Sequence, residues 1–168
     1  MRPSFLDMQQ SDDDKAELIA FAKCPKGFLL LAGSNGSGKS YAAMCIYRVN
    51  SSLELPQWNP DEALFINQSE LNEKWLNSDR KEWSEWCKDT RLLVIDDLGT
   101  RRPSDAFADF LYAIIDYRWN EREVLGTIIT TNLNSQTMRE MFGSAIISRI
   151  ASGIVKRWDH PDRRCKEF

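Results

Sequence analysis

Residues 29–44 read LLLAGSNGSGKSYAAM, an apolar run followed by glycines and serines and then by helix-forming residues. Gly33, Gly36 and Gly38 fall within six residues and stand directly before Lys39 and Ser40. Glycine loses more conformational freedom on folding than any other residue, so this cluster destabilises the fold. Its presence indicates that the backbone here needs a conformation that other residues rarely adopt. A strand, a glycine-rich loop and a helix in this order predict a binding loop at the end of a buried strand.

The segment GSNGSGKS, residues 33–40, matches the phosphate-loop signature G-x-x-x-x-G-K-[ST]. Glycines let successive backbone N–H groups turn toward a polyphosphate, and the helix that follows adds its unpaired amides and dipole. Lys39 is expected to place its charge at the β- and γ-phosphates, and Ser40 to ligate Mg²⁺. The expected cofactors are ATP and Mg²⁺. The predicted nucleotide contacts are Gly33, Ser34, Asn35, Gly36, Ser37, Gly38, Lys39, Ser40 and Tyr41.

The alternative for this segment is a flexible turn of glycine and serine. At ordinary residue frequencies a chain of this length would show the signature by accident well under about one time in a hundred. The required strand before it and helix after it are also present, which favours nucleotide binding.

Two further segments place polar side chains where predicted strands end. RLLVIDDLG, residues 91–99, ends an apolar run with Asp96 and Asp97, and GTIITTN, residues 126–132, ends with Asn132. Ligands bind at the carboxyl ends of strands in open α/β sheets. We expect Asp96 to hold Mg²⁺, Asp97 to polarise the attacking water, and Asn132 to orient that water. The alternatives are an acidic helix cap and an ordinary turn asparagine.

Apolar runs alternate with helical segments along the whole chain. Predicted strands lie at 28–32, 63–67, 91–95, 127–130 and 153–158. Predicted helical segments run from the glycine loop to about 49, over 69–88, after Pro103, and from 135 to a stop at Gly143. Five alternations predict an α/β three-layer fold with a five-stranded, mainly parallel sheet.

Bulk properties exclude several classes of protein. The chain has 168 residues, enough for one domain, and its net charge of -3 excludes a basic nucleic-acid binder overall. Four separated cysteines and one histidine disfavour a zinc site. The N-terminal sequence lacks the apolar region of a signal peptide, and no run is long enough to span a membrane, so we expect a cytoplasmic protein.

Six tryptophans allow two interpretations. Trp75, Trp83 and Trp86 lie among lysines and arginines in the helical segment 69–88, and such aromatics can stack on single-stranded bases. The same segment is also rich in aspartate and glutamate, which favours packing of the indoles over DNA contact. Single-stranded DNA stays a candidate partner.

The ordered set of motifs resembles the DnaC/IstB-type AAA+ ATPases, which comprise bacterial and phage helicase loaders and transposition helper ATPases. The resemblance covers about residues 27–166. The motifs are the phosphate loop, IDDLG (95–99), DYRW (116–119), IITTNL (128–133), FG (142–143), SRI (148–150) and DRR (162–164).

This resemblance implies roles for individual residues. Asp96 and Asp97 match the Walker B pair, and Asn132 matches sensor 1. Arg149 matches the arginine finger that reaches the ATP of a neighbouring subunit, and Arg164 matches an arginine near the end of these chains. The implied catalytic set is Lys39, Asp97, Asn132 and Arg149.

The resemblance also implies an architecture and partners. We expect an AAA+ ATP-binding domain at 27–168 after a short N-terminal segment at 1–26, with no C-terminal lid domain. The implied assembly is an ATP-dependent homo-oligomer that acts on a replicative helicase or a transposase-type protein. Two departures are Asp97, where many AAA+ proteins carry glutamate, and an N-terminal segment too short for a helicase-binding domain.

Three other functions stay open at this point. A transposition helper ATPase fits the same motifs. A phosphate-loop kinase would need an acceptor pocket and an arginine-bearing lid, and neither is recognisable after Asn132. An ATP-dependent switch with little turnover is plausible because Asp97 is shorter than glutamate.

Overall fold

The computed structural model describes residues 3–51, 63–77 and 80–159. Its five strands are β1 (Gly27–Gly33), β2 (Ala63–Asn67), β3 (Leu92–Asp96), β4 (Gly126–Thr131) and β5 (Ile154–Trp158). They form one sheet in the order β2-β3-β4-β1-β5, and all four strand pairings are parallel. Each predicted strand is present, and the sheet is wholly rather than mainly parallel.

Helices cover both faces of this sheet. They are α1 (Asp12–Lys23), α2 (Lys39–Asn50), α3 (Gln68–Asn77), α4 (Arg80–Asp89), α5 (Asp105–Asn120), α6 (Ser135–Phe142) and α7 (Ser144–Ile150). Leu29 and Leu31 of β1 pack with α1 and α2, while Phe28 and Leu30 pack with the remaining helices. Because successive strand residues point to opposite faces, one strand supplies two cores. The predicted three-layer α/β fold is therefore confirmed.

Helix length and composition also bear on membrane insertion. In the part of the chain that the structure describes, no helix is both long enough and apolar enough to cross a bilayer.

Three helical features differ from the sequence-based expectation. The segment 69–88 carries two helices, α3 and α4, where one helical segment was predicted. Helix α1 was not predicted, although Ser11 caps it by accepting a hydrogen bond from the Asp14 N–H at 3.2 Å. Helix α7 was also not predicted, because seven residues are too few to show a clear period.

The indoles of Trp75 and Trp83 belong to the core. They are 7% and 8% exposed and pack in the cluster that covers one face of the sheet. The ring of Trp75 meets that of Phe107 edge-on, with centroids 5.7 Å apart. Packing therefore explains these two residues, and neither indole is free to stack on a base.

The strand order decides where the functional side chains meet. Strand β4 lies between β1 and β3, with Ala32 level with Thr131 and Ile95 level with Ile129. Since the three strands are parallel, their carboxyl ends reach the same edge of the sheet. The phosphate loop, the aspartate pair and Asn132 leave the sheet at that edge.

Candidate functional site

The glycines of the phosphate loop are required by backbone conformation and by close approach. Gly33, Gly36 and Gly38 have φ values of 136°, 69° and 97°, which residues with a side chain rarely adopt. A Cβ on Gly33 would lie 2.0 Å from the carbonyl oxygen of Trp158 in β5. A Cβ on Gly38 would lie 2.6 Å from Nε2 of Gln10. The loop is thus fitted closely between β5 and the N-terminal segment.

Lys39 directs its charge into this loop. Its side chain is buried, and Nζ donates to the carbonyls of Gly33 at 3.0 Å and Ser34 at 2.6 Å, and to the Ser37 hydroxyl at 3.3 Å. Gly38 caps α2 without any side-chain hydrogen bond among the described residues, which leaves first-turn amides for another acceptor. Amides and a cation in this arrangement suit a polyphosphate.

The two aspartates at the end of β3 are held by one hydroxyl. The Thr130 hydroxyl donates to Oδ1 of Asp96 at 2.6 Å and accepts from the N–H of Asp97 at 2.9 Å. Asp97 has a φ of 53° and is the only described non-glycine residue in the left-handed region. Such backbone strain occurs preferentially at functional sites. Thr130 was not predicted as a site residue, although it lies in the motif IITTNL (128–133).

The turn that follows Asp97 is fixed from two sides. The N–H of Gly99 donates to Oε1 of the buried Gln68 at 2.6 Å, and the Thr131 hydroxyl donates to the carbonyl of Leu98 at 2.6 Å. Gly99 has a φ of 95°, and a Cβ there would lie 2.2 Å from Cδ1 of Leu133. The aspartate pair therefore sits on a rigid support, which a preorganised site needs.

One cleft of about 580 Å³ joins most of the predicted residues. The predicted residues that line it are Asn35, Gly36, Gly38, Lys39, Ser40, Tyr41, Asp97 and Asn132. Asp97 and Asn132 come from different strand ends more than thirty residues apart along the chain, so their meeting with the loop is a property of the fold.

The N-terminal segment supplies most of the rest of the cleft wall, which the sequence did not reveal. The residues concerned are Pro3, Asp7, Met8, Gln9 and Gln10, and Met44 of α2 also lines the cleft. Nε2 of Gln10 donates to the Ser37 carbonyl at 3.0 Å, and the N–H of Ser4 donates to the Tyr41 hydroxyl at 3.1 Å. These bonds attach the segment to the C-terminal part of the loop and to the first turn of α2. No motif marks this segment, because its role depends on contacts distant in sequence.

The remaining predicted residues that the structure describes do not line the cleft. Gly33, Ser34 and Ser37 belong to the phosphate loop, and Ser37 is fully buried. Asp96, 8% exposed, stands behind the cleft lining and is bound by Thr130. Arg149 lies on α7 outside the cleft and pairs with Asp116 of α5, with Nη2 2.6 Å from Oδ1. Arg164 lies outside the described residues.

No family model matches this chain, and no curated protein matches it significantly. Solved structures do. The structure of DnaI is 24% identical and covers 94% of this chain and 90% of its own, with a TM-score of 0.71. The DnaC helicase loader is 18% identical over 94% of this chain and 97% of its own, with a TM-score of 0.69.

A further match is the replication initiator DnaA bound to AMPPCP and single-stranded DNA. It is 11% identical, covers 95% of this chain and 50% of its own, and has a TM-score of 0.78. In all three comparisons the similarity extends over nearly the whole of this chain.

Proposed function

We propose that this chain, which has the fold of a DnaC-type AAA+ core, binds and hydrolyses ATP and acts in DNA replication by remodelling or delivering a DNA-bound partner. The observation that carries the proposal is the single cleft in which the phosphate loop meets Asp97 and Asn132. The proposed partner is a replicative helicase or a transposase-type protein. The proposed working form is an ATP-dependent homo-oligomer.

The residues at the loop fit Mg·ATP. The loop amides and Lys39 would hold the phosphates, while the Ser40 hydroxyl and the Asp96 carboxylate are oxygen ligands of the kind that Mg²⁺ prefers. Asp97 and Asn132 would orient a water molecule. ATP supplies the phosphoryl group and Mg²⁺ neutralises its charge. Arg164 stays a proposed nucleotide contact on the resemblance alone.

The N-terminal wall suits the other end of the nucleotide. Its lining residues combine an apolar side chain, Met8, with polar ones such as Asp7 and Gln9. Small-molecule pockets combine apolar surface with a few placed polar groups, and this wall offers both. We assign it to the nucleoside.

Arg149 is proposed to act on the nucleotide of a neighbouring subunit. It lies outside the cleft of its own subunit, which agrees with a role at another one. Arginine fingers contribute about 10³–10⁵ in rate by neutralising transition-state charge. A lone protomer is therefore expected to hydrolyse ATP slowly.

The test is ATP turnover per protomer over a wide range of protein concentration, with and without single-stranded DNA. Lys39→Ala is the blank, since it removes the cation from the loop. We expect specific activity to rise with concentration, and Arg149→Ala to abolish the rise. Turnover that is flat with concentration and indifferent to Arg149 would contradict the shared site and favour a self-contained kinase or a switch.

A second candidate is an ATP-dependent switch with little turnover. Asp97 favours it, because its carboxylate is one methylene shorter than the glutamate of many AAA+ proteins and its backbone is fixed by Thr130. Tight ATP binding without hydrolysis, even at high protein concentration and with DNA, would support this candidate.

A further inference from the structure

The guanidinium of Arg149 is enclosed by its own subunit. Nη2 lies 2.6 Å from Oδ1 of Asp116 and donates to the Tyr112 hydroxyl at 3.3 Å, and Nη1 donates to the Ala145 carbonyl at 3.1 Å. The guanidinium carbon also lies 5.2 Å from the ring centroid of Tyr112 and 5.6 Å from that of Trp119. Only 23% of the Arg149 side chain is exposed.

The three partners on α5 form a built site for this cation. Tyr112, Asp116 and Trp119 are spaced four and three residues apart, so they share one face of the helix. Two aromatic rings attract the guanidinium electrostatically, and the carboxylate between them neutralises it.

The polar contacts of Arg149 hold its guanidinium against its own subunit. A guanidinium has five N–H donors, and a two-point contact with phosphate uses two parallel ones. Nη1 and Nη2 each donate one hydrogen bond within the subunit, Nη2 also forms the ion pair with Asp116, and Nε is buried and finds no acceptor among the described residues. A phosphate bound to the guanidinium in this position would lie beside the Asp116 carboxylate, and two anions so close repel each other. The contact with Asp116 therefore has to break before a phosphate can take its place.

We propose that Asp116 is a positioning residue that holds Arg149 against its own subunit until the nucleotide of a neighbouring subunit competes for the guanidinium. This proposal rests on the proposed role of Arg149 as a finger. Carboxylate and phosphate oxygens compete for the same donors, so the Asp116-bound and phosphate-bound forms exclude each other. Only a subunit whose Arg149 has left Asp116 can contact the neighbouring nucleotide. The apparent affinity between subunits is therefore the intrinsic affinity multiplied by the fraction of such subunits.

The experiment compares ATP turnover against protein concentration, at saturating Mg·ATP, for the full chain and four variants. Asp116→Asn keeps the size of the side chain and removes its charge, and Tyr112→Phe keeps the ring and removes the hydroxyl. Asp109→Asn, an exposed aspartate on the same helix, is the matched control. Arg149→Ala tests whether Arg149 acts as an arginine finger.

We expect Asp116→Asn to lower the concentration for half-maximal turnover about two- to fivefold, the size of a partly exposed ion pair, with the plateau rate unchanged. Tyr112→Phe should lower the half-maximal protein concentration by a smaller factor, and Asp109→Asn should leave that concentration unchanged. A purely structural role for Asp116 would instead lower the plateau and the thermal midpoint of unfolding.

The outcomes separate the two proposals. If Arg149→Ala abolishes the rise with concentration while Asp116→Asn matches the wild type or raises the half-maximal concentration, the Asp116 proposal is overturned and the finger stands. If Arg149→Ala leaves the rise intact, both are overturned. Where Asp116→Asn unfolds below the assay temperature, Tyr112→Phe decides in its place, and an unshifted half-maximal concentration then overturns the proposal.

Discussion

Thr130 links the two aspartates at the end of β3 through a single hydroxyl. Because the N–H of Asp97 can only donate, the Thr130 oxygen must accept from it, and its own proton is directed to Oδ1 of Asp96. The hydroxyl therefore orients the carboxylate of Asp96, the proposed metal ligand, and at the same time fixes the backbone of Asp97, which is proposed to orient water. Residues that hydrogen-bond to a metal ligand commonly affect metal affinity or activity nearly as much as the ligand itself.

Thr130→Val keeps the branched shape and removes the hydroxyl. We expect the Mg²⁺ concentration for half-maximal ATP turnover to rise about 10- to 100-fold, because the Asp96 carboxylate loses the donor that orients it. A Mg²⁺ titration of turnover measures this. Thr130→Ser retains the hydroxyl and is the control. A valine variant with the wild-type Mg²⁺ dependence would show that the hydroxyl has no such role.

The sequence predicted those site residues whose role follows from local motifs. Most of the loop residues and Asp97 belong to contiguous patterns, and they line the cleft together with Asn132. The roles of Thr130, Gln10 and Asp116 could not be predicted, although Thr130 and Asp116 lie in recognised motifs, since each role depends on which elements become neighbours in space. Their residue types are common, and only the strand order and helix packing give them partners.

Arg118 of α5 joins three elements from a fully buried position. It donates to the carbonyls of Cys87, Lys88 and Thr90 at the end of α4, and to the Gly126 carbonyl and Thr127 hydroxyl of β4. It thereby satisfies carbonyls that a helix end leaves without partners, and its charge complements the helix dipole. Burial lowers the pKa of Arg118 to about 9, so the guanidinium stays charged at neutral pH.

Arg118→Met should lower the free energy of unfolding by about 3–5 kcal/mol, because it leaves several buried carbonyls without donors. Urea denaturation at neutral pH measures the change. Arg122→Met is the matched control, since Arg122 is only partly buried and lies over the Trp119 ring. A loss below about 1 kcal/mol for Arg118→Met would mean that water or rearrangement satisfies these carbonyls.

Strands were predicted more accurately than helices for a physical reason. Strands β1, β3 and β4 are buried on both faces and read as largely apolar runs. All five predicted strands lie within two residues of the observed ones. Helix α1 opens with three aspartates and buries only Leu18, Phe21 and Ala22, and α7 has only seven residues, so neither shows a clear period. Their stability comes from packing on the sheet, which a local pattern does not show.

A cluster of ion pairs and one hydrogen bond joins α1 to β5, two elements that lie near opposite ends of the sequence. Lys156 of β5 pairs with Asp14 at 2.9 Å and also with Glu17, and the Trp158 indole donates to Asp14 at 3.1 Å. Burial acts to raise the pKa of Asp14, but the hydrogen bonds from Lys156, Ser11 and Trp158 outweigh it and lower the pKa. Hydrogen bonds to Glu17 and Asp14 raise the pKa of Lys156.

This cluster predicts how stability depends on pH. A lowered Asp14 pKa contributes stability that is present above about pH 4 and is lost as pH falls through the folded-state pKa. The raised Lys156 pKa contributes stability that is present below about pH 10 and is lost above it. Asp14→Asn should cost about 1 kcal/mol at neutral pH, and its difference from the wild type should shrink on acidification.

The measurement is the free energy of unfolding by urea at several pH values between about 3 and 7, for the wild type and Asp14→Asn. Asp13→Asn, an exposed neighbour in the same helix turn, is the control. A difference between wild type and Asp14→Asn that stays constant down to the lowest pH would contradict the assignment of the lowered pKa to Asp14.

Pro3 and residues 7–10 line one wall of the cleft. The N-terminal segment is therefore placed to contact any ligand that the cleft binds. Gln10 binds the Ser37 carbonyl, so a ligand that orders the phosphate loop orders this segment through the same bond. Pro3 itself lines the cleft. Filling and emptying of the cleft would therefore be transmitted to the N-terminal end of the described chain.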